Sequence, residues 1–288
     1  MIGMFKRRYI LAYDRGYVFG GSATTDSTDE YTPSTDSWVE KSNMLISTYG
    51  HASSTMNNKG YLYGGAGKLN TTYEYYSDTW TLKTGNITGR QDLTATSISN
   101  LGYVLCGTSA TLTWTDLNEE YNPTGDSYTT KTATPKPLRQ GCASTMDDKG
   151  YLTGGNDTIS DMRDTEEYTP TGAGSWVSKT DMDLDRYAHA MSTINDKVYV
   201  YCGFRFGPGQ IPDTDEYVVD TWTAKLDYNR TDTYLIAGTT IGDKGYIFGG
   251  HPATQTADEY DPVANIWIDV SDMPLPARHT FTATPMTN

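Results

Sequence analysis

One phrase recurs six times along this chain, an aromatic or β-branched run closing on glycine. It reads Tyr17-Val18-Phe19-Gly20-Gly21, Tyr61-Leu62-Tyr63-Gly64-Gly65, Tyr103-Val104-Leu105-Cys106-Gly107, Tyr151-Leu152-Thr153-Gly154-Gly155, Tyr199-Val200-Tyr201-Cys202-Gly203 and Tyr246-Ile247-Phe248-Gly249-Gly250. Copies follow one another at about 42 to 48 residues, the period of arrays in which each unit buries its apolar face against the next. All 288 residues therefore read as one repeat array, although length alone would suggest two domains.

Each unit divides into four short strands, and helical periodicity appears nowhere. A first strand of small or apolar residues meets a turn such as Asn58-Lys59-Gly60 or Asp148-Lys149-Gly150, where Asn or Asp beside Gly tolerates the positive φ of a hairpin. The second strand ends at the glycine pair. The third carries Glu-Tyr, at Glu30-Tyr31, Glu74-Tyr75, Glu120-Tyr121, Glu167-Tyr168, Glu216-Tyr217 and Glu259-Tyr260. Pro and Gly then punctuate before a fourth strand holding Trp38, Trp80, Tyr128, Trp176, Trp222 or Trp267. Sheets of this kind bury both faces by radial stacking, with the large aromatics filling the wedge between blades.

Gly-Gly, Glu-Tyr-Asp-Pro, Trp and Pro-X-Arg resemble kelch repeats, and the likeness covers essentially the whole chain. It implies an all-β, six-bladed kelch β-propeller with four antiparallel strands per blade, closed by a terminal strand. Residues 1–8 read as an N-terminal arm and 9–288 as the propeller. Two segments compete for the innermost strand of the first blade, Tyr9 to Tyr13 and Arg278 to Met286. The C-terminal one is favoured, with the N-terminal one displaced outward or used as an arm.

In such a blade, loops joining strands two to three and four to one open on a single face. Between the second glycine and the Glu of Glu-Tyr lie eight residues in units one, two and six, but twelve, eleven and twelve in units three to five. Those longer loops predict a wall containing Trp114, Arg163, Phe204, Arg205 and Phe206, since binding surfaces are built on variable loops over rigid scaffolds. The same face receives Arg90, Arg139, Arg186, Arg230 and Arg278 at the entrances to first strands, with Thr48 in one repeat. A guanidinium ring is a candidate anion site. The competing expectation pairs these arginines with the Glu-Tyr glutamates.

With 22 Lys and Arg against 36 Asp and Glu, the net charge of −14 disfavours nucleic acid and anionic lipid as partners. No apolar stretch suggests membrane insertion, and no secretory signal is visible, so a virion or cytoplasmic setting is expected. The three cysteines read as free structural thiols. No metal-ligand spacing joins His51, His189, His251 and His279, so neither a metal nor a cofactor is expected.

The leading functional expectation is a noncatalytic recognition module, binding a protein or glycan through the long-loop face as a virion or cell-surface component. A resemblance to the kelch-type sialic acid mutarotases implies the alternative, an enzyme in which arginine holds a sugar carboxylate and a neighbouring carboxyl moves protons. A third expectation is an architectural subunit that joins a larger assembly through its termini.

Overall fold

The structure, a computed structural model, describes residues 13–22, 25–111, 113–230 and 234–287. The segment expected to form an arm, together with Tyr9 to Ala12, lies outside the described residues.

Six four-stranded antiparallel sheets make up a β-propeller. From axis to rim, blade two runs Ala52–Met56, Lys59–Tyr63, Thr72–Tyr76 and Thr79–Lys83, and blades three to six repeat that order. In blade one the innermost strand is Thr282–Met286, paired antiparallel with Arg15–Phe19 from Arg15 opposite Met286 to Phe19 opposite Thr282. The C-terminal strand thus closes the ring. Asp14-Arg15-Gly16, which matches the Asn58-Lys59-Gly60 and Asp148-Lys149-Gly150 turns in sequence, therefore makes no inner hairpin, because the strand beside Arg15–Phe19 comes from the other end of the chain.

The hairpins differ from expectation in one detail. Left-handed conformations fall on Asn57-Asn58, Ser99-Asn100 and Asp147-Asp148, ahead of the glycine, and on Asn195-Asp196, where Val198 stands in the glycine's place. That glycine instead provides room: a Cβ on Gly102 would stand 2.5 Å from the Tyr63 hydroxyl of the preceding blade.

Blades are fastened to each other by the repeated residues themselves. Each third-strand tyrosine, Tyr31, Tyr75, Tyr121, Tyr168, Tyr217 and Tyr260, is buried at a blade interface. The outer-strand tryptophans reach across with their indole N–H, Trp38 to the Ser271 carbonyl (2.7 Å), Trp222 to Thr180 (2.9 Å) and Trp267 to Leu226 (3.1 Å). Tyr128 does the same work by a different bond, its hydroxyl lying 2.5 Å from Thr72 Oγ1. Around the axis, threonine hydroxyls donate to the neighbouring inner strand, Thr55 to the Pro285 carbonyl (2.6 Å), Thr145 to Ser97 (2.8 Å) and Thr240 to Thr193 (2.8 Å). These bonds satisfy polar groups that an axial packing of strands would otherwise bury.

Candidate functional site at the loop face

The chain entering each inner strand has a shared geometry. Two residues before the strand, Gly50, Asp92, Gln140, Ala188, Leu235 and Thr280 all adopt positive φ, between 52° and 61°. Their backbone groups form a closed circle: Asp92 N–H donates to the Gly50 carbonyl (2.7 Å), Gln140 to Asp92 (2.9 Å), Ala188 to Gln140 (2.8 Å), Leu235 to Ala188 (2.8 Å), Thr280 to Leu235 (3.0 Å) and Gly50 to Thr280 (3.0 Å). Six bonds return to their starting residue, which fixes the diameter of the mouth. Below it, inner strands rich in Ser and Thr enclose an axial cavity of about 1470 Å³.

One residue earlier stand Tyr49, Gln91, Arg139, Tyr187, Tyr234 and His279, each partly or fully exposed. These form the rim. Half of it is a continuous row of rings: Tyr187 to Phe204 (5.6 Å between centroids), Phe204 to Tyr234 (4.8 Å), Tyr234 to His251 (4.9 Å) and His251 to His279 (5.1 Å). Beside Tyr187, at the end of this row, Arg139 lies over the Trp114 ring at 4.8 Å, within 4.0 Å of the Asp92 carboxylate. Asp92 is one-tenth exposed, and burial raises its carboxyl above the ordinary range against the opposing pull of Gln91 and Arg139. A carboxyl in a mouth with a shifted proton affinity is a candidate for binding or proton transfer.

The long loops rise on this same face, as isolated bridges from Arg139 to Asn156 and from Tyr187 to Phe204 tie them to the rim. Phe204–Arg205 pairs with Gly209–Gln210 as a small hairpin, Phe204 turned onto the ring row and Phe206 exposed at the tip. Arg205 is paired with Asp185 at 2.7 Å and Arg163 with Asp181 at 3.5 Å.

The arginines separate into three groups. Arg90, Arg186 and Arg278 sit four residues before their inner strands and are wholly enclosed. Arg186 binds Asp215 at 2.6 Å and also donates to the Cys202 and Asp213 carbonyls; Arg90 binds Glu119, and Arg278 binds Asp29. A guanidinium with no exposed surface touches no ligand, so each of these three ties the entrance of an inner strand to the second and third strands of its own blade. Arg230, seven residues before its strand, curls back onto Asp258 at 3.1 Å and remains partly exposed. Arg139 stands three residues before its strand, with Leu138 in the buried place, and that offset of one turns it to the rim.

The partners are also not the expected ones. The Glu-Tyr glutamates accept from second-strand tyrosines, Tyr17 to Glu30 (2.7 Å), Tyr61 to Glu74 (2.6 Å), Tyr103 to Glu120 (2.7 Å) and Tyr151 to Glu167 (2.8 Å). Arginine takes the residue just before, Asp29, Glu119, Asp215 or Asp258. Where Thr48 replaces the arginine, that residue is Tyr73, and where Leu138 does, Glu166 is left to Ser178 Oγ at 3.0 Å. This covariation between repeats was readable signal, as was the rim once residues are counted back from each inner strand.

Two histidines below the mouth are structural. His51 Nε2 lies 3.1 Å from the Phe19 carbonyl and His189 Nε2 lies 3.0 Å from Thr153 Oγ1. Burial pushes His51 down to about 4 and His189 down to about 3. Both folded values lie below the unfolded one near 6.5, so this stability is fully present above pH 6.5 and is lost as pH falls towards 4. The loss between pH 7 and pH 5 is expected to be about 2 kcal/mol per histidine. Urea unfolding at the two pH values checks it: the double variant His51→Gln/His189→Gln should show a clearly smaller difference, and an unchanged difference would refute the assignment.

Among the described residues no group of three or more His, Cys, Asp and Glu could hold a metal ion. No protein-family model matches the chain, and no curated protein matches it. Among solved structures 368 chains match. One is the structure of YjhT, at a TM-score of 0.72 and 13% identity over 86% of this chain and 90% of that one. At that identity the likeness is one of fold.

Proposed function

We propose that the protein is a kelch-type propeller that recognises a glycan at the rim of its loop face. The observation carrying this reading is the row Tyr187, Phe204, Tyr234, His251 and His279, continued beside Tyr187 by Arg139 laid on Trp114. Half-exposed rings offer apolar faces to the C–H surfaces of a sugar, while Gln91, Asp92 and Arg139 supply donors and acceptors at fixed places. The backbone circle beneath holds these groups in position before a ligand arrives, which lowers the cost of binding. A virion or cell surface is the setting we infer for such a disc, on its Thr- and Tyr-rich composition.

A glycan array followed by calorimetry with the best oligosaccharide tests it. Tyr234→Ala and Arg139→Ala should each weaken binding tenfold or more, about 1.4 kcal/mol, with the thermal transition little moved. Binding unchanged in both variants would place the site elsewhere. Asp92 beside Arg139 favours a second reading, the processing of an acidic sugar with Asp92 as the acid or base. Exchange between sugar anomers, followed by NMR and lost in Asp92→Asn while binding persists, would replace the first reading with the second.

A further inference from the structure

Two large apolar side chains stand in solvent on adjacent long loops, Ile159 at 90% exposure and Phe206 at 84%. Neither contributes to the core, yet both loops are firmly built. In blade four, Asp157 Oδ1 accepts from the backbone N–H of Ile159 (2.6 Å) and of Ser160 (2.7 Å), and Asn156 Nδ2 donates to Asp161 at 2.7 Å. Met162 anchors the loop in the interior. In blade five, Gly207 and Gly209 take positive φ with open space around them, so glycine serves the hairpin's conformation there. Phe204 and Ile211 root that hairpin. The other oxygen of Asp161 accepts the Phe206 N–H, bracing one loop against the other.

From this bracing we infer a two-pronged docking element, Ile159 and Phe206, for a protein whose apolar socket is rimmed by basic residues. A side chain offered on an ordered loop loses little freedom on binding, the property of interface anchors. Charge selects the partner. Arg205 and Arg163 are already paired with Asp185 and Asp181, while Asp157 and Asp183 have no cation within ion-pair distance among the described residues, on a chain of net charge −14. Such a surface is repelled by anionic lipid and attracted to Lys and Arg. Val219 and Val263, also exposed, sit on separate turns of the opposite face and serve as controls.

Site-specific photo-cross-linking tests the inference independently of sugar binding. The full chain, with p-benzoylphenylalanine replacing Phe206, Ile159 or Val263 in turn, is irradiated in extract of the cells that make it, and adducts are mapped by mass spectrometry. Positions 206 and 159 should both mark the same protein segment, apolar and flanked by Lys or Arg, with yield falling severalfold in 0.5 M salt (roughly a 4 Å screening length). Adducts matching those at position 263, adducts to lipid, or adducts to a second copy of this chain would overturn it. Glycan affinity retained in Phe206→Asp would confirm that the two surfaces are separate, so failure of one reading leaves the other standing.

Discussion

A chain ended at His279 is expected not to fold cooperatively. The cut removes Thr282–Met286, which supplies the whole inner edge of blade one, and Thr280, a link in the backbone circle. It also removes Phe281 and Met286, both buried in inter-blade clusters with Val18 and Phe19. Losing two such side chains costs about 2–5 kcal/mol each, and the unpaired edge of Arg15–Phe19 adds its orphaned backbone groups. The sum is comparable to the entire stability of a typical domain, about 5–15 kcal/mol. Circular dichroism should show no sharp thermal transition, and size exclusion should show an expanded or aggregated species. A truncated chain melting within a few degrees of the intact one would mean that the ring does not depend on its closing strand.

Replacing Arg186 with Met should cost about 3–5 kcal/mol, because it strands a buried carboxylate and leaves two carbonyls without their donor. Burial already raises the Asp215 carboxyl above its ordinary range, even beside Arg186. The double variant Arg186→Met/Asp215→Leu should recover most of the loss, since removing both members of a buried pair is far milder than removing one. Blade four supplies the internal control. Among the described residues Glu166 faces no guanidinium there, and burial raises its carboxyl as well, so Glu166→Gln should lie within about 1 kcal/mol of the parent. Guanidinium chloride unfolding of all four proteins measures this. Equal penalties for Arg186→Met and Glu166→Gln would sink the account of these arginines as inter-strand ties.

The repeat phrases carried the architecture because each repeated residue does the same local work in every blade. Glycine pairs, Glu-Tyr and Trp recur because a closed ring presents the same neighbour six times. The candidate site was less legible for the opposite reason: it lies where the repeats disagree. Arg139 looked equivalent to Arg90, Arg186 and Arg278, yet a single-residue offset separates an arginine at the rim from three that are sealed between strands. Tyr187, Tyr234, Asp92 and the two rim histidines carried no motif of their own. They become a set only when chain segments about 45 residues apart are brought around one axis.

What sequence alone determined was the number of blades, the strands within them and the residues that wedge them, since periodicity, turn chemistry and side-chain size act locally and repeat. Which terminus completes blade one, which arginines are enclosed and which rings line the mouth were decided by tertiary structure. Those outcomes depend on register between distant segments: a shift of one residue reverses the direction of a side chain and exchanges a buried ion pair for an open site.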